Sequence, residues 1–584
     1  MRKWLSKIVA CTLALVSTFG LVACGGDGGG SDGDDLLDSM LQDAGIGGGK
    51  EEEKVVDRTK TQLTVKYYNA GFGDAWLNKL IARFEEEYKD VEYEDNKKGV
   101  QVWATGEMKQ YTGQDVANGA FDVYFMEGAE YYAMTAVDGA LEDLTSIVTE
   151  PVKGADGKTN LDGGKTVASK LTQQQKEFYG ITSTDGDPKY YGIPHYEGGW
   201  GLIYNKELFD TEGYYIVDGD EFGILANEPG ATKSKGPDGK AGTADDGLPA
   251  TLDEFYLLCD EIAIAGDYPL CWSGMYREAY LTTMINTLAA ESMGVDQMGL
   301  NLSFTGNAKD LVVFDDNGIV YENGAIKTEA VDITTASGYE VARQEAKYYA
   351  LEFLDKIINT DGWCNKDKAF NESHTHLDAQ YDFIRGGTDQ DTAGKAYAFL
   401  VDGPWWEGEA TAKFTQMSAK DQKYTKQNRD FAWMPLPKVS EKYVGGKNVY
   451  MDTLDAVTVV KAGLGKKTAA ALDFVRYSVT DESLVEFTQT TGALKSYAYT
   501  LNEEQSKNLS PFAKSLIEYK KNATTFVMKS GNAFFVSNSD FKTASNYYKV
   551  GGYTSPVQAF AQGVDVETYF AQLYKNWSDK KIWE

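Results

Sequence analysis

The sequence is short of histidine, cysteine and positive charge, and each shortage removes a class of function. His195, His374 and His376 are the only histidines in 584 residues, too few for a zinc cluster or an obvious catalytic triad. His374 and His376 flank one threonine and have the spacing to hold a metal ion, but two histidines on a polar stretch read more simply as surface. Neither Gly-x-Ser-x-Gly nor His-Glu-x-x-His occurs. With Cys11 and Cys24 near the N-terminus, Cys259, Cys271 and Cys364 remain of five cysteines, an odd number that argues against a disulfide-built scaffold. A Cys259–Cys271 bridge and three buried free thiols both stay open. Lys and Arg number 57 against 88 Asp and Glu, a formal charge of −31. So acidic a chain repels phosphate backbones, which excludes nucleic acid as a partner. Residues 463–468 echo a phosphate loop, but Val460 stands where its first glycine belongs.

What is present starts with a targeting segment. Arg2, Lys3 and Lys7 precede an apolar run over residues 8–22, too short to span a bilayer and suited to a secretory signal peptide. No later run is long and apolar enough to cross a membrane. The run ends in Leu21-Val22-Ala23-Cys24, followed by Gly25 and Gly26. This resembles the lipobox of bacterial lipoproteins. The resemblance implies a signal peptide over 1–23, cleavage before Cys24 and lipid on its thiol; the bland alternative is a soluble secreted protein with an incidental cysteine. Loss of Arg2, Lys3 and Lys7 takes the charge from −31 to −34. Residues 24–60 are rich in Gly, Asp, Glu and Ser, which predicts a flexible tether.

About 520 residues follow, enough for two or three folding units with a core that needs no staples. The pattern alternates strand and helix, as in an α/β domain. A strand is predicted over 63–68, a Gly-bearing turn over 69–74, and then a helix with Trp76, Leu77, Leu80, Ile81 and Phe84 at helical spacing and Asp74 as N-cap. Strands follow near 100–103 and over 121–125, with a helix over 109–118 between them. Further strands are expected at 200–204, 395–400, 431–437 and 456–460, and helices at 275–293, 338–358, 467–478, 481–490 and 511–521. Thr251 and Glu254 have capping-box spacing at the head of another helix. Residues 151–190 and 211–247 read as polar insertions, and 300–335 as a small strand-rich excursion. Within the second insertion, Asp238, Asp245 and Asp246 among glycines loosely resemble a calcium loop, with a plain acidic loop as the simpler reading. No other cofactor is expected.

Five stretches in order carry a family likeness: 63–88; 121–125; 192–206 followed by 249–255; 394–405; and 461–492. Together they resemble the extracellular solute-binding proteins of carbohydrate ABC importers, the maltose-binding-protein-like family 1. The resemblance implies an α/β, two-lobe periplasmic-binding-protein-like (type II) fold with a hinge and an interlobe ligand cleft. It implies lobe 1 from 61–190 and 440–500, and lobe 2 from 191–439 and 501–584. It implies a monomeric binding protein, not an enzyme, that captures an oligosaccharide outside the cell, rides on the membrane through its lipid and delivers to a transmembrane permease. The chain departs from the family in insertions near 151–190, 211–247 and 300–390, and in having Gly71 and Phe72 where the maltose binder has an acidic pair.

Sugars need aromatic faces for their CH-rich sides and carboxylates or amides for their hydroxyls. Trp405 occupies the position of the family's stacking tryptophan, with Trp406 and Glu407 beside it. Tyr276 falls at a family aromatic, with Trp272 near it. Glu197 lies within one position of a family carboxylate, flanked by Tyr196 and Trp200. Glu127 follows the third strand, Tyr68 and Asn69 end the first, and Asp452 precedes the strand at 456–460. For each the alternative is packing or solvated surface; Trp76, Phe431, Trp433 and Phe474 are assigned to core. Two rival functions remain. One is a binder of a peptide, polyamine or other non-sugar, of which amines would demand more paired carboxylates. A glycan-active enzyme needs two carboxylates at a set separation, a signal empty in a chain with 88 acidic residues.

Overall fold

A computed structural model describes residues 55–69, 71–128, 130–182, 186–219, 222–386, 395–538 and 547–584. The expected signal peptide, Cys24 and most of the tether lie outside the described residues. No helix among the described residues is long and apolar enough to cross a membrane.

Eleven strands frame the site: β1 (Thr61–Tyr68), β2 (Val100–Glu107), β3 (Val123–Met126), β4 (Ile193–Pro194), β5 (Gly201–Asn205), β6 (Tyr268–Cys271), β7 (Tyr397–Asp402), β8 (Phe431–Met434), β9 (Asn448–Asp452), β10 (Val457–Val460) and β11 (Ala523–Val527). The first sheet has the order β2-β1-β3-β10-β4, with β10 antiparallel to its two neighbours. The second has the order β6-β7-β5-β8, with β5 antiparallel to β7 and β8. The first sheet packs in one apolar core, and the second sends alternate residues into two. In the first lobe, helix Ala75–Glu87 buries Trp76, Leu77, Leu80, Ile81 and Phe84, the stripe that 3.6-residue spacing predicts. Asp74 stands at the N-cap but makes no side-chain cap; the next helix instead starts late, at Gly113, where Thr112 and Asp115 form a capping box. Thr251 caps its helix as expected. In the second lobe, helix Arg277–Ser303 runs through the core and kinks at Gly294, whose φ of 76° suits glycine. Cys259, Cys271 and Cys364 are buried free thiols, which closes the disulfide question.

Among the described residues the chain passes between the lobes three times, over 195–200, 453–456 and 492–510. The passages lie side by side. Thr453 N–H donates to Gly198 O (2.9 Å), and Glu197 N–H donates to Leu494 O (3.3 Å). A Cβ on Gly199 would meet Met451 O at 2.1 Å, so only glycine permits this approach. The lobes are therefore 61–194 with 457–491, and 201–452 with 511–584. This moves the expected division. Ile193 and Pro194 pair with β10 in the first sheet, whereas 440–452 belong to lobe 2: Val449 and Met451 pack in its core and β9 pairs with β11. The insertion at 151–190 packs on lobe 1 and reaches across: Gln174 donates to Val527 O (2.6 Å) and accepts from Val527 N–H (2.9 Å).

Candidate functional site

The strand directions gather one end of each sheet at the lobe boundary. β1 and β3 are parallel, so Tyr68 and Glu127 emerge together at their carboxyl ends. In lobe 2, Asp402 at the end of β7 lies opposite Gly201 at the start of β5, so Trp405 and Trp200 emerge together as well. Ligands of open α/β sheets bind outside such strand ends. The two ends meet: a Cβ on Gly408 would lie 2.0 Å from Gly71 O, and one on Gly71 would lie 2.7 Å from Glu409 Cγ.

An aromatic wall and a carboxylate cluster face each other there. Trp200 meets Trp405 edge-on with centroids 4.8 Å apart and Tyr280 at 5.7 Å. Tyr280 stacks on Tyr276 at 6.1 Å, and Tyr276 reaches His376 at 5.8 Å. Trp405 also hydrogen-bonds Asp402. Gln380 Nε2 donates to both Asp402 Oδ2 and Glu409 Oε2, each at 2.9 Å. His376 Nε2 lies 3.9 Å from Glu409 Oε2. From lobe 1, Tyr196 OH donates to Glu127 Oε2 at 2.6 Å.

Desolvation without a cation governs the electrostatics. Burial pushes the Glu127 carboxyl up to about 7, against the Tyr196 hydrogen bond. Asp402 is likewise pushed to about 7 by burial. Glu409 is raised well above the carboxylate range by burial, by Asp402 and by Glu127 across the lobes. Burial, together with Glu127 and Glu409, pushes the Tyr68 phenol to about 12. Burial lowers His376, against the pull of Asp378. Three polar atoms here have no hydrogen-bond partner among the described residues: Trp200 Nε1, His376 Nδ1 and Gln380 Oε1.

Of the residues singled out from sequence, the structure brings Tyr68, Glu127, Tyr196, Trp200, Tyr276 and Trp405 to this boundary, with Asn69 at its rim beside β2. The others lie elsewhere. Trp406 is fully buried in lobe 2 among Phe383, Phe414, Phe431 and Phe512. Glu407 is buried and accepts from Ser510 OH. Trp272 is buried and donates to Ala369 O at 3.0 Å. Neighbours in a turn point in opposite directions, so adjacency to Trp405 or Tyr276 does not carry them into the site. Glu197 pairs with Lys520 at 2.6 Å, and Asp452 accepts from Gly198 and Leu454 N–H and from Ser496 OH; both hold the passages between lobes. Asp238, Asp245 and Asp246 accept from Lys240, Asp238, Gly242 and Thr243 of their own loop. Among the described residues no group of three or more His, Cys, Asp or Glu is placed to hold a metal ion.

Gln380, Tyr280, Asp402 and Glu409 were not anticipated, and His376, read from sequence as surface, lies beside Glu409. His376 and Gln380 are four residues apart on helix His376–Arg385, hence on one face, and Glu409 stands one turn after Trp405. These spacings were the available signals.

The chain is similar in fold to several solved structures. The apo form of RafE from Streptococcus pneumoniae is 14% identical, with 90% of this chain and 99% of that chain covered and a TM-score of 0.51. A chitin oligosaccharide binding protein is 14% identical, with 89% and 98% covered and a TM-score of 0.49. The maltose-bound MalE3 of T. maritima is 14% identical, with 88% and 99% covered and a TM-score of 0.47. No curated protein matches by sequence. The family model for the bacterial extracellular solute-binding proteins matches residues 69–484. With most of its length matched and its two lobes meeting over an aromatic and acidic site, the chain belongs to the bacterial extracellular solute-binding proteins.

Proposed function

We propose that this chain is the substrate-binding lipoprotein of an ABC importer and captures a carbohydrate, most simply an oligosaccharide, between its lobes. The observation that carries the reading is the run Tyr276–Tyr280–Trp200–Trp405 beside Glu127, Asp402, Gln380 and Glu409. Rings cover the CH faces of a pyranose, while the carboxylates and amide accept its hydroxyl protons. Trp200 Nε1, unpartnered among the described residues, supplies a donor to a sugar oxygen. Closure on the ligand would then be favoured by the contacts made only when both lobes hold it. No nucleophile or water-activating pair is required for this task, and release leaves the solute unchanged.

Cys24 would carry the lipid, with residues 24–60 as tether, so that the lobes work at the outer face of the membrane beside the permease, as a monomer. A second reading is favoured by one observation: three carboxylates without a cationic partner also suit an amine-bearing solute such as a polyamine.

Calorimetric titration of residues 55–584 with an oligosaccharide library tests the proposal. The expected result is saturable binding of at least one sugar without turnover. Hydrolysis of the bound sugar would replace the binding reading with an enzymatic one, and binding of polyamines alone would favour the second. Cys24→Ser in cells should move the protein from the membrane fraction to the medium.

A further inference from the structure

The carbohydrate reading leaves the charge of the solute open, and the lobe boundary speaks to it. Glu127 comes from lobe 1 at the end of β3; Asp402 and Glu409 come from lobe 2 at and beyond the end of β7. Their neighbours among the described residues are as follows. Glu127 has Tyr196 bonded to it and Tyr68 and Glu409 near it. Glu409 has Gln380, Asp402, Tyr68, Tyr280 and His376. Asp402 has Gln380, the Gly403 amide and Trp405. Among the described residues, no lysine or arginine forms an ion pair with any of the three carboxylates, although basic side chains pair abundantly elsewhere, as Lys438 does with Glu291 and Lys520 with Glu197.

We infer that the bound segment of the solute carries no anionic group, and that Glu127 and Glu409, one from each lobe, are the residues that set this selectivity. The inference rests on the carbohydrate reading of the same site. A uronate, sulfate ester or phosphate placed between these side chains would be stripped of water with no cation to meet it, and would hold its charge against the ionised forms of these carboxyls. Hydroxyl donors and protonated amines meet the oxygens of Glu127, Asp402 and Glu409 there. In surroundings of low polarizability such a charge costs at least about a hundredfold in affinity.

The test offers several oligosaccharide backbones (gluco-, manno- and galacto-configured, and raffinose) to residues 55–584 in three forms: neutral, with a hydroxymethyl oxidised to the uronate, and with it converted to an amine. The neutral or aminated form of at least one backbone is expected to bind, and its uronate to bind at least about a hundredfold more weakly at pH 8. Glu409→Gln should narrow that gap by about tenfold or more. Glu127→Gln should do the same, and provides the reading if the first variant folds poorly. A uronate that binds as tightly as its neutral parent would overturn the inference while leaving the carbohydrate reading intact. An unchanged gap in both variants would remove the assignment to these residues. Silence of every backbone in every form would count against the carbohydrate reading itself, and the inference would fall with it.

Discussion

Trp200 and Trp405 meet edge to face, with centroids 4.8 Å apart and planes inclined by 71°, although 204 positions separate them in sequence (405 less 200, less one). The antiparallel pairing of β5 and β7 brings this about: it sets Gly201 against Asp402, so the residues just outside both strands leave the sheet at one end. Trp405 then leans out of lobe 2 and packs in the core of lobe 1.

Trp405→Ala should therefore cost both binding and stability. The side chain is 7% exposed, and removing a buried tryptophan typically costs about 3–5 kcal/mol. Urea unfolding should show that loss, and the sugar-induced rise in melting temperature should vanish. Trp405→Phe should recover most of the stability but not the hydrogen bond to Asp402. Full ligand response in Trp405→Ala would mean the ring is packing alone.

Gly408→Ala separates closure from folding. Its new Cβ would sit 2.0 Å from Gly71 O on the opposing lobe, so the lobes cannot seat as they do now. Ligand affinity should drop by about tenfold or more, with a smaller effect on melting of the empty protein than Trp405→Ala has. Isothermal titration beside a ligand-free melt distinguishes the two.

Glu407→Gln isolates one buried carboxyl. Burial pushes Glu407 up to about 7, with Ser510 opposing. A raised carboxyl means the folded state holds its proton more tightly than the unfolded one. Its contribution is complete below the unfolded value of about 4.5 and is lost as pH rises through about 7. The wild type should thus lose on the order of 3 kcal/mol relative to the variant between pH 4.5 and 8. Urea midpoints of both proteins at those two pH values provide the measurement; parallel changes would contradict it.

Chelation should leave the melting midpoint unchanged. The carboxylates of Asp238, Asp245 and Asp246 are occupied by donors of their own loop. A drop on adding EDTA, reversed by calcium, would show that an ion completes this loop.

Regular elements were legible wherever a period was strong. The stripe of helix Ala75–Glu87 and the apolar runs at β3, β7 and β10 stand in the sequence as they stand in the fold. The lobe boundary was harder because β4 is two residues long, too short to carry alternation, and because 440–452 owe their place to pairing with β11 some seventy residues away. Within the site, aromatic anchors at strand ends were readable. The polar partners were not: Gln380 and His376 stand on a helix whose sequence shows no contact with Glu409, and only tertiary packing turns it that way. Trp406 and Glu407 show the converse limit, since composition cannot tell which side of a turn a residue takes.

The order of strands in the first sheet bears on how the protein is made. β10 lies between β3 and β4, so the sheet stays open until a chain segment more than 260 residues downstream of β4 arrives. Pairing of such distant partners is slow. An emerging polypeptide would lack a finished N-terminal half until the strand ending at Val460 has been made.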